Sequence, residues 1–345
     1  MTTDDPRERC RASTEIAEEL SRRFHLGELQ AWQDLGGSWT TNLRLDVAAG
    51  SLVARVHRDW TTEDRLAAVQ TARQLIAESG IPAVLPLPDP HGSTIITLDN
   101  GRLAELEPYI GWNRRMNTPE LLSAGFPILA RIHDTLRTGQ LGKAARTVEF
   151  ANHVSSADAA TLTHAGADRM IGWHDEALTG YATAVTHHID AVTALEAELS
   201  DEQLGQVVHG DFWDNNVLFA DDELQAVIDY DFMAERWRVD DLALTIWFYL
   251  LEPGHGLPTS KDRELVKMLL DSYDASASVP LSAAERRTIP LAIARQPAWS
   301  AGGWVRVDDD VDRARRHAYA AAKELPVAQQ ILLELGAWQT ALSRA

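Results

Sequence analysis

The sequence predicts a bilobal α+β fold: a small N-terminal antiparallel β lobe and a larger, mainly helical C-terminal lobe. In the first third of the chain, short apolar runs lie between glycine, proline and other turn residues, which is typical of strands. From Thr118 onward, apolar residues recur mostly at helical spacing. The 345 residues suffice for two such lobes.

The predicted N-terminal elements form a helix, a glycine turn between strands, a second helix and a hairpin. The first helix is supported by Ile16, Leu20 and Phe24, which are spaced along one helical face. A type I′ turn is expected in the hairpin at Asn100-Gly101. In chain order, the predictions are a helix at 12–25, a turn within 35–45, a strand at 51–57, a helix at 62–79 and a hairpin at 94–106.

The C-terminal lobe is predicted to begin with a helix whose N-cap is Thr118 and whose first residue is Pro119. His133 near its end is expected to be a structural histidine. A break is expected at Pro326, and Asp308 to Asp312 are expected to begin a helix. Trp299, Gly302-Gly303 and Trp304 are expected to interrupt the helical stretch 283–302. The remaining predicted helical stretches are 155–199, 242–251, 261–275 and 308–343.

The stretch from Val207 to Asp241 is the most informative part of the sequence. Three apolar runs, separated by a polar loop and a polar turn, predict strand, loop, strand, turn and strand. The hairpin formed by the last two strands would bring the loop 211–216 and Asp229 to the same end. An Asp that accepts a hydroxyl proton, with an Asn and an Asp that bind magnesium, is the arrangement that phosphoryl transfer requires.

Three motifs in this stretch resemble the aminoglycoside phosphotransferase family: His-Gly-Asp-x-x-x-x-Asn from His209, Val-Ile-Asp-Tyr from Val227, and Asp-Asp-Leu-Ala from Asp240. That family has a protein-kinase-like fold and includes antibiotic kinases, choline kinases and type II homoserine kinases. The resemblance is specific in this stretch, weaker in the N-terminal third, and fades after about residue 255. It implies that Asp211 is the catalytic base.

The same resemblance implies roles for the neighbouring polar residues. Asn216 and Asp229 match the Mg²⁺ ligands of the family, and Asp241 matches an Asp that braces the catalytic loop. His209 is expected to support the loop by packing and hydrogen bonding. Asp231 is an additional carboxylate near the metal, and its assignment has less support. Each residue alone could be an ordinary loop or strand-end residue, but the ordered set argues against that explanation.

The resemblance also implies where the lobes divide: the hinge of the kinase-like fold would follow the strand that ends near Glu107, which places the lobes at 1–107 and 108–345.

The family further implies an ATP site in the N-terminal lobe. Gly36, Gly37 and Asn42 loosely match its glycine-rich segment. Taken alone, the two glycines would indicate a hairpin turn, but their position ahead of the next strand favours the match. Arg55 stands where kinases have the Lys that pairs with the α- and β-phosphates. Its alternative is an outward-facing strand Arg.

The family's glutamate that orients this cation has no clear counterpart in the sequence. Three explanations stay open. Glu63 takes the place of that glutamate, Gln70 forms a hydrogen bond with Arg55 instead, or Arg55 has no such partner on this helix.

Composition limits the partners. The net charge of −19 argues against nucleic acid as a partner, and it is compatible with a cationic substrate or with a surface that merely aids solubility, which we favour. No apolar run could span a membrane, and the polar N-terminus lacks a secretory h-region. The single cysteine, Cys10, cannot form an internal disulfide, which is compatible with the reducing cytoplasm. Most of the eleven tryptophans are expected in the core.

The sequence therefore predicts an ATP- and Mg²⁺-dependent phosphotransferase that acts on a small-molecule hydroxyl, with an aminoglycoside or other antibiotic favoured as acceptor. A metabolic kinase of homoserine, choline or a sugar is the alternative. A catalytically silent kinase-like binding module is the second alternative. Protein kinase activity is disfavoured, because no Asp-Phe-Gly or Ala-Pro-Glu segment occurs between Asp229 and Asp241. The oligomeric state stays open.

Overall fold

The computed structural model of the protein describes residues 9–37, 39–149, 151–199 and 202–343. Ser38 of the glycine turn and residues 1–8, which begin the expected polar N-terminus, lie outside the described residues. The strands are β1 Leu29–Gly36, β2 Thr41–Val47, β3 Gly50–Val56, β4 Ile96–Thr97, β5 Leu103–Pro108, β6 Arg114–Arg115, β7 Gly205–Val208, β8 Val217–Ala220, β9 Glu223–Val227 and β10 Ala234–Trp237.

The helices account for most of the remaining chain, and one of them is a π-helix. They are α1 Thr14–Arg23, α2 Glu63–Glu78, α3 Pro119–Thr138, α4 Lys143–Arg146, α5 Ser156–Ile171, α6 Glu176–Ala197, α7 Arg238–Leu250, α8 Ser260–Ser276, α9 Ala283–Ala294, the π-helix Trp299–Val305, α10 Val311–Leu333 and α11 Leu335–Leu342. No helix in the described ranges is both long enough and apolar enough to cross a membrane.

The N-terminal third forms a five-stranded antiparallel sheet in the order β1-β2-β3-β5-β4. Alternate residues of β2, such as Leu43 and Leu45, are fully buried and pack with Leu20 of α1. This confirms the predicted antiparallel sheet and the α+β class. The sheet ends at Pro108. The functional division of the chain at residues 107 and 108 stays a prediction.

The hairpin between β4 and β5 has a different turn from the predicted one. A type I′ turn needs positive φ at both central residues. Of Asn100 and Gly101, only Gly101 has a positive φ (81°), and its N–H donates to Leu98 O at 2.8 Å. The turn therefore lies one residue earlier, and Gly101 takes the left-handed position that follows it.

Of the strand pairs in the C-terminal lobe, only one was predicted from the sequence. β8 and β9 form the predicted hairpin, and β6 joins it as a third strand. β7 instead pairs with β10, a strand that the sequence analysis did not predict. The two small sheets flank the loop from His209 to Asn216, whose ends are therefore fixed by separate strand pairs.

The predicted helical stretch 283–302 divides into two elements. α9 ends at Ala294, and a separate π-helix begins at Trp299, the first of the residues expected to interrupt the stretch. The break expected at Pro326 was wrong, because α10 continues to Leu333. Asp310 caps α10 by accepting from the backbone N–H of Asp312 and Arg313, as the helix-start interpretation of this acidic run predicts.

The π-helix lies unusually close to α5. A Cβ atom added at Gly166 of α5 would lie 2.0 Å from the backbone O of Ala301. A Cβ atom added at Gly302 would lie 2.8 Å from the backbone C of Leu162. Glycines on both sides therefore permit the contact. This approach fixes the π-helix, which carries two tryptophans, Trp299 and Trp304, against the rest of the lobe.

We expect Gly166→Ala to destabilise the protein by about 1–3 kcal/mol, because the new methyl group overlaps a backbone carbonyl that cannot move freely. Gly180→Ala is the matched control, since Gly180 is also inside a helix but its added Cβ would meet nothing within 4 Å. The control should stabilise the helix by up to about 1 kcal/mol. Urea unfolding measures both changes, and equal effects would contradict the close packing.

Candidate active site

The loop after β7 places Asp211 at the centre of the cleft. Gly210 has φ 82°, and a Cβ atom at this position would lie 2.1 Å from Phe232 O, so no larger residue fits. Asn216 Nδ2 donates to Asp211 Oδ2 at 2.8 Å and to Asp211 O at 2.9 Å. Asn152, from the segment before α5, donates to the other carboxylate oxygen. Asp211 is thus held between two amides.

Asp241 stabilises this loop through hydrogen bonds to its backbone. Its carboxylate accepts from the backbone N–H of His209 at 2.9 Å and of Gly210 at 2.8 Å. It also lies 3.1 Å from His133 Nε2, and His133 Nδ1 lies 2.8 Å from Tyr273 Oη. All of these groups are buried. The structural role predicted for His133 agrees with this geometry.

Asp229 lies beside Asn216 because the hairpin closes there. The backbone N–H of Ile228 donates to Asn216 O at 2.9 Å, which fixes the end of β9 against the loop. Asp229 itself has φ 63°, a conformation that few non-glycine residues adopt. Its carboxylate Oδ1 accepts from Arg55 Nη2 at 3.0 Å, and Asp231 Oδ2 accepts from the same nitrogen at 2.9 Å.

The carboxylates of the cleft differ in their affinity for protons. Burial, and then the charge of Asp229, raise the pKa of Asp211 well above its usual value, against the hydrogen bonds from Asn216 and Asn152. Burial and Asp231 also raise the pKa of Asp229. Burial opposes ionisation of Asp231, but Arg55 and other cationic neighbours outweigh it and lower its pKa to about 2. Asp231 is therefore ionised at neutral pH.

His209 supports the loop as a neutral side chain. Burial lowers its pKa to about 4. Its Nδ1 accepts from the backbone N–H of Asp211 at 3.2 Å, and its Nε2 lies 3.2 Å from Ile228 O, which fixes the tautomer. The side chain also stacks near Tyr230, with ring centroids 4.3 Å apart. These contacts link the loop to the end of the hairpin.

The glycine turn after β1 closes over the cleft. Gly36 and Gly37 have φ 88° and 118°, and a Cβ atom at Gly37 would lie 2.4 Å from Thr40 O. Asn42 Nδ2 donates to Gly36 O at 3.2 Å, so this side chain holds the turn. Thr40 Oγ1 donates to Asp231 Oδ2 at 2.9 Å and thereby connects the turn with the C-terminal lobe.

Arg55 points into the cleft, so the alternative of an outward-facing strand Arg was wrong. It is buried and lines the cleft, and its Nη1 lies 3.8 Å from both Glu105 Oε1 and Glu107 Oε1. These carboxylates belong to β5, not to α2. Of the candidate partners on α2, Glu63 is exposed, and Gln70 donates to Glu105.

A second cation near Arg55, Arg58, was not predicted from the sequence. Its guanidinium carbon lies 4.2 Å from the ring centroid of Trp39 and 5.3 Å from that of Phe232. Burial lowers its pKa to about 10, against the attraction of Asp231 and Asp229, so it stays positively charged at neutral pH. Arg58 lies two residues after the end of β3 and three residues after Arg55. This short spacing was the sequence signal that could have identified it.

These groups line one cleft of about 1120 Å³. Its lining includes the glycine turn, β3 and the end of β5. The π-helix and α10 contribute another part of the lining, with Trp299, Ser300, Trp304, His317 and Glu324. The two parts meet where the rings of Trp39 and Trp304 lie 4.9 Å apart, and Asp211 lines the same cleft.

The tryptophan prediction was wrong in part. Only Trp247 and Trp338 are fully buried among the described residues. Six tryptophans line the cleft: Trp39, Trp112, Trp213, Trp247, Trp299 and Trp304. The mainly structural role expected for this residue type does not hold here.

A buried aspartate, an amide and a carboxylate that offer oxygen ligands, and two guanidiniums in one cleft are the groups that a phosphotransferase site requires. The sequence matches the phosphotransferase enzyme family over residues 32–277, and the chain belongs to that family. The predicted enzyme class, a phosphotransferase that acts on a hydroxyl group, is confirmed. This membership disfavours the silent-module alternative.

The curated relatives include homoserine kinase from Bradyrhizobium diazoefficiens, which is 26% identical over 284 residues that cover 81% of this chain and 80% of the relative. Among solved structures, the amicoumacin kinase hAmiN in complex with AMP-PNP, Ca²⁺ and Ami has a TM-score of 0.66 at 13% identity, over 92% of this chain and 95% of that one.

An aminoglycoside phosphotransferase from Alicyclobacillus acidocaldarius has a TM-score of 0.67 at 13% identity, over 96% of this chain and 98% of that one. These similarities confirm the predicted family resemblance and the bilobal protein-kinase-like fold.

The structure brings together every residue that the sequence analysis placed at the site: Gly36, Gly37, Asn42, Arg55, His209, Asp211, Asn216, Asp229, Asp231 and Asp241. Their individual chemical roles stay predictions. The residues missed were Asn152, Arg58, Glu105 and Glu107. Alternation along β5 could have identified the two glutamates, since both lie on the face opposite Ala104 and Leu106.

We expect Asp241→Asn to destabilise the protein by about 3 kcal/mol and to lower turnover, because an amide cannot accept both backbone N–H groups. Asp312→Asn is the matched control, since Asp312 is also an aspartate in the first turn of a helix but is exposed. The control should change stability by no more than about 0.5 kcal/mol. Thermal unfolding of both variants separates bracing from simple helix capping.

Proposed function

We propose that the protein transfers the γ-phosphoryl group of ATP to a hydroxyl group of a small molecule, with Asp211 as the base. The observation that carries the proposal is the grouping of Asp211, Asn216 and Asp229 opposite Arg55 in one cleft. Asp211 is oriented by amides on both carboxylate oxygens. Ionised, it can accept the proton of the attacking hydroxyl as the new O–P bond forms.

Asn216 and Asp229 fit a magnesium ion. Both offer oxygen atoms, which are the ligands that Mg²⁺ prefers. Because the Nδ2 of Asn216 donates to Asp211, its Oδ1 remains as the ligand atom. The raised pKa of Asp229 reflects burial near Asp231, and a bound divalent cation would favour its ionised form. Magnesium bound there would neutralise charge on the β- and γ-phosphates.

The nucleotide would lie on the β3 and β5 side of the cleft. Gly36 and Gly37 let the backbone approach the phosphates, and Arg55 would pair with the α- and β-phosphates. Arg58 adds a second positive charge. The segment from Glu107 to Ile110 lines the cleft where the first lobe ends, and it would hold the adenine. The cytoplasm, where ATP is supplied, stays the predicted compartment.

The acceptor would lie against the part of the cleft lined by the π-helix and α10, and the residues there favour an amine-bearing alcohol such as an aminoglycoside. Burial raises the pKa of Glu324, and a nearby ammonium group would favour its ionised form. Trp299 and Trp304 also line this part of the cleft, and aromatic rings attract organic cations. His317 Nε2 is buried with no hydrogen-bond partner within the described residues, so a polar ligand group could satisfy it. An antibiotic-resistance role is the consequence of this assignment.

Homoserine is the second candidate acceptor, and the curated relatives favour it. Its ammonium group would suit Glu324 as well. Its carboxylate would need a cation. Arg55 and Arg58 line the cleft, and Arg236 and Arg306 line the adjoining cavity that shares Trp39, Trp299 and Trp304 with it. The acceptor panel therefore includes homoserine.

We expect Asp211→Asn to lower turnover by about 10²- to 10⁴-fold, because the amide cannot accept the hydroxyl proton. The variant should keep the thermal shift that Mg-ATP produces in the wild type. Asp222→Asn, an exposed aspartate in the β8–β9 turn, is the control and should retain full turnover. Wild-type turnover in Asp211→Asn would reject the assignment of the base.

We expect ATP consumption to be stimulated by amine-bearing alcohols, tested with aminoglycosides, other antibiotics, aminopropanol, choline, homoserine and sugars. In Glu324→Gln, the KM for an amine acceptor should rise about tenfold, because one charge-assisted contact is lost. The KM for ATP, and for any neutral sugar that is used, should not change. Stimulation by homoserine alone would favour the metabolic alternative, and unaltered amine kinetics would exclude Glu324 as the anchor.

A further inference from the structure

A buried charge network connects β3, β5 and α2 behind the cleft. Arg55 and Glu105 are direct cross-strand neighbours in the β3–β5 register, and Glu107 lies two residues further along the same face of β5. Arg73 of α2 donates to Glu105 Oε1 at 2.9 Å and to Glu107 Oε1 at 2.6 Å. The side chains of all four residues are at most 8% exposed.

The helix end of this network is fixed independently of Arg55. Arg73 Nε donates to Val84 O at 2.7 Å, and Gln70 Nε2 donates to Glu105 Oε2 at 2.9 Å. Thr94 Oγ1 in turn donates to Gln70 Oε1 at 2.6 Å. The Glu105 carboxylate is therefore held in one orientation by Arg73 and Gln70, neither of which lines the cleft.

Direct contacts tie Arg55 to this network. Arg55 and Arg73 are the two guanidiniums beside Glu105 and Glu107, and His57 Nε2 also lies 3.5 Å from Glu105 Oε1. Opposite charges that are buried together stabilise one another, because an uncompensated buried charge is costly. Arg55 Nη1 faces Glu105 and Glu107 at 3.8 Å, whereas its Nη2 bonds Asp229 and Asp231. The guanidinium is thus held from two sides, and the β5 side is the one that does not include a predicted metal ligand.

We propose that Glu105, supported by Glu107 and held by Arg73, positions the Arg55 guanidinium for the phosphates of the nucleotide. In protein kinases the cation lies on the strand and its carboxylate on the helix. Here the helix contributes a cation, and the carboxylates come from the neighbouring strand. Glu105 is a positioning residue, since it acts through Arg55. The inference rests on the proposed function, that is, on ATP binding in this cleft.

The test is a double-mutant cycle with Glu105→Gln and Arg55→Met, measured as the affinities for ATP and for adenosine by calorimetry. Glu105→Gln should weaken ATP binding roughly tenfold, a coupling typical of residues in contact. Adenosine has no phosphates, so its affinity should stay within twofold. In the Arg55→Met background, Glu105→Gln should have no further effect on ATP. In turnover, Glu105→Gln should raise the KM for ATP more than it lowers kcat.

Glu285→Gln is the control for loss of a buried carboxylate. Glu285 bonds Arg238 at 2.6 and 2.7 Å, is 3% exposed and does not line the cleft. It should lower the melting temperature without changing the affinity for ATP. If Glu105→Gln does not fold, Gln70→Leu removes one hydrogen bond to the same carboxylate and should weaken ATP binding about two- to threefold.

Two results would overturn the proposal: additive effects of Glu105→Gln and Arg55→Met on ATP affinity, or equal losses for ATP and adenosine. Either result, with wild-type protein that binds and consumes ATP, would reject the positioning role and leave the proposed function intact. Failure of the wild type to bind Mg-ATP would instead reject the proposed function, and this inference with it.

Discussion

The carboxylate of Asp241 is the contact on which the catalytic loop depends. It accepts two successive backbone N–H groups, from His209 and Gly210, and it meets His133 of α3 from the other side. Because these N–H groups are buried, they would otherwise remain unpaired at a considerable cost. One anion at the start of α7 thus connects α3, β7 and the loop, and it fixes the position from which the next residue, Asp211, enters the cleft.

The cleft concentrates charge of both signs in a buried space. Asp229 and Asp231 share the guanidinium of Arg55, while Arg58 is stacked on aromatic rings nearby. Such an arrangement suits phosphoryl transfer, in which the protein mainly positions groups and balances charge. The neighbouring carboxylates also explain why the cleft needs cations from the first lobe. Arg fits this task because its planar fork reaches two carboxylates at once.

Family membership defines the reaction class, and the match over residues 32–277 includes the motifs around Asp211. Under the proposed function, the acceptor would be selected by the part of the cleft that the π-helix and α10 line. These two elements lie beyond the end of the family match at residue 277. Homoserine kinases resemble the chain at 26% identity, so that similarity does not determine what this part of the cleft binds.

The sequence alone determined the fold class, the catalytic loop and the grouping of Asp211, Asn216 and Asp229, because these follow from local spacing and from a hairpin that closes on itself. Only the tertiary structure decided the pairing of β7 with β10, and the contacts of Asn152 with Asp211 and of Glu105 with Arg55. Asn152 and Asp211, like Arg55 and Glu105, are at least 50 residues apart in the chain, and the pairing of β7 with β10 depends on strand order. Local periodicity contains no information about which distant segments meet.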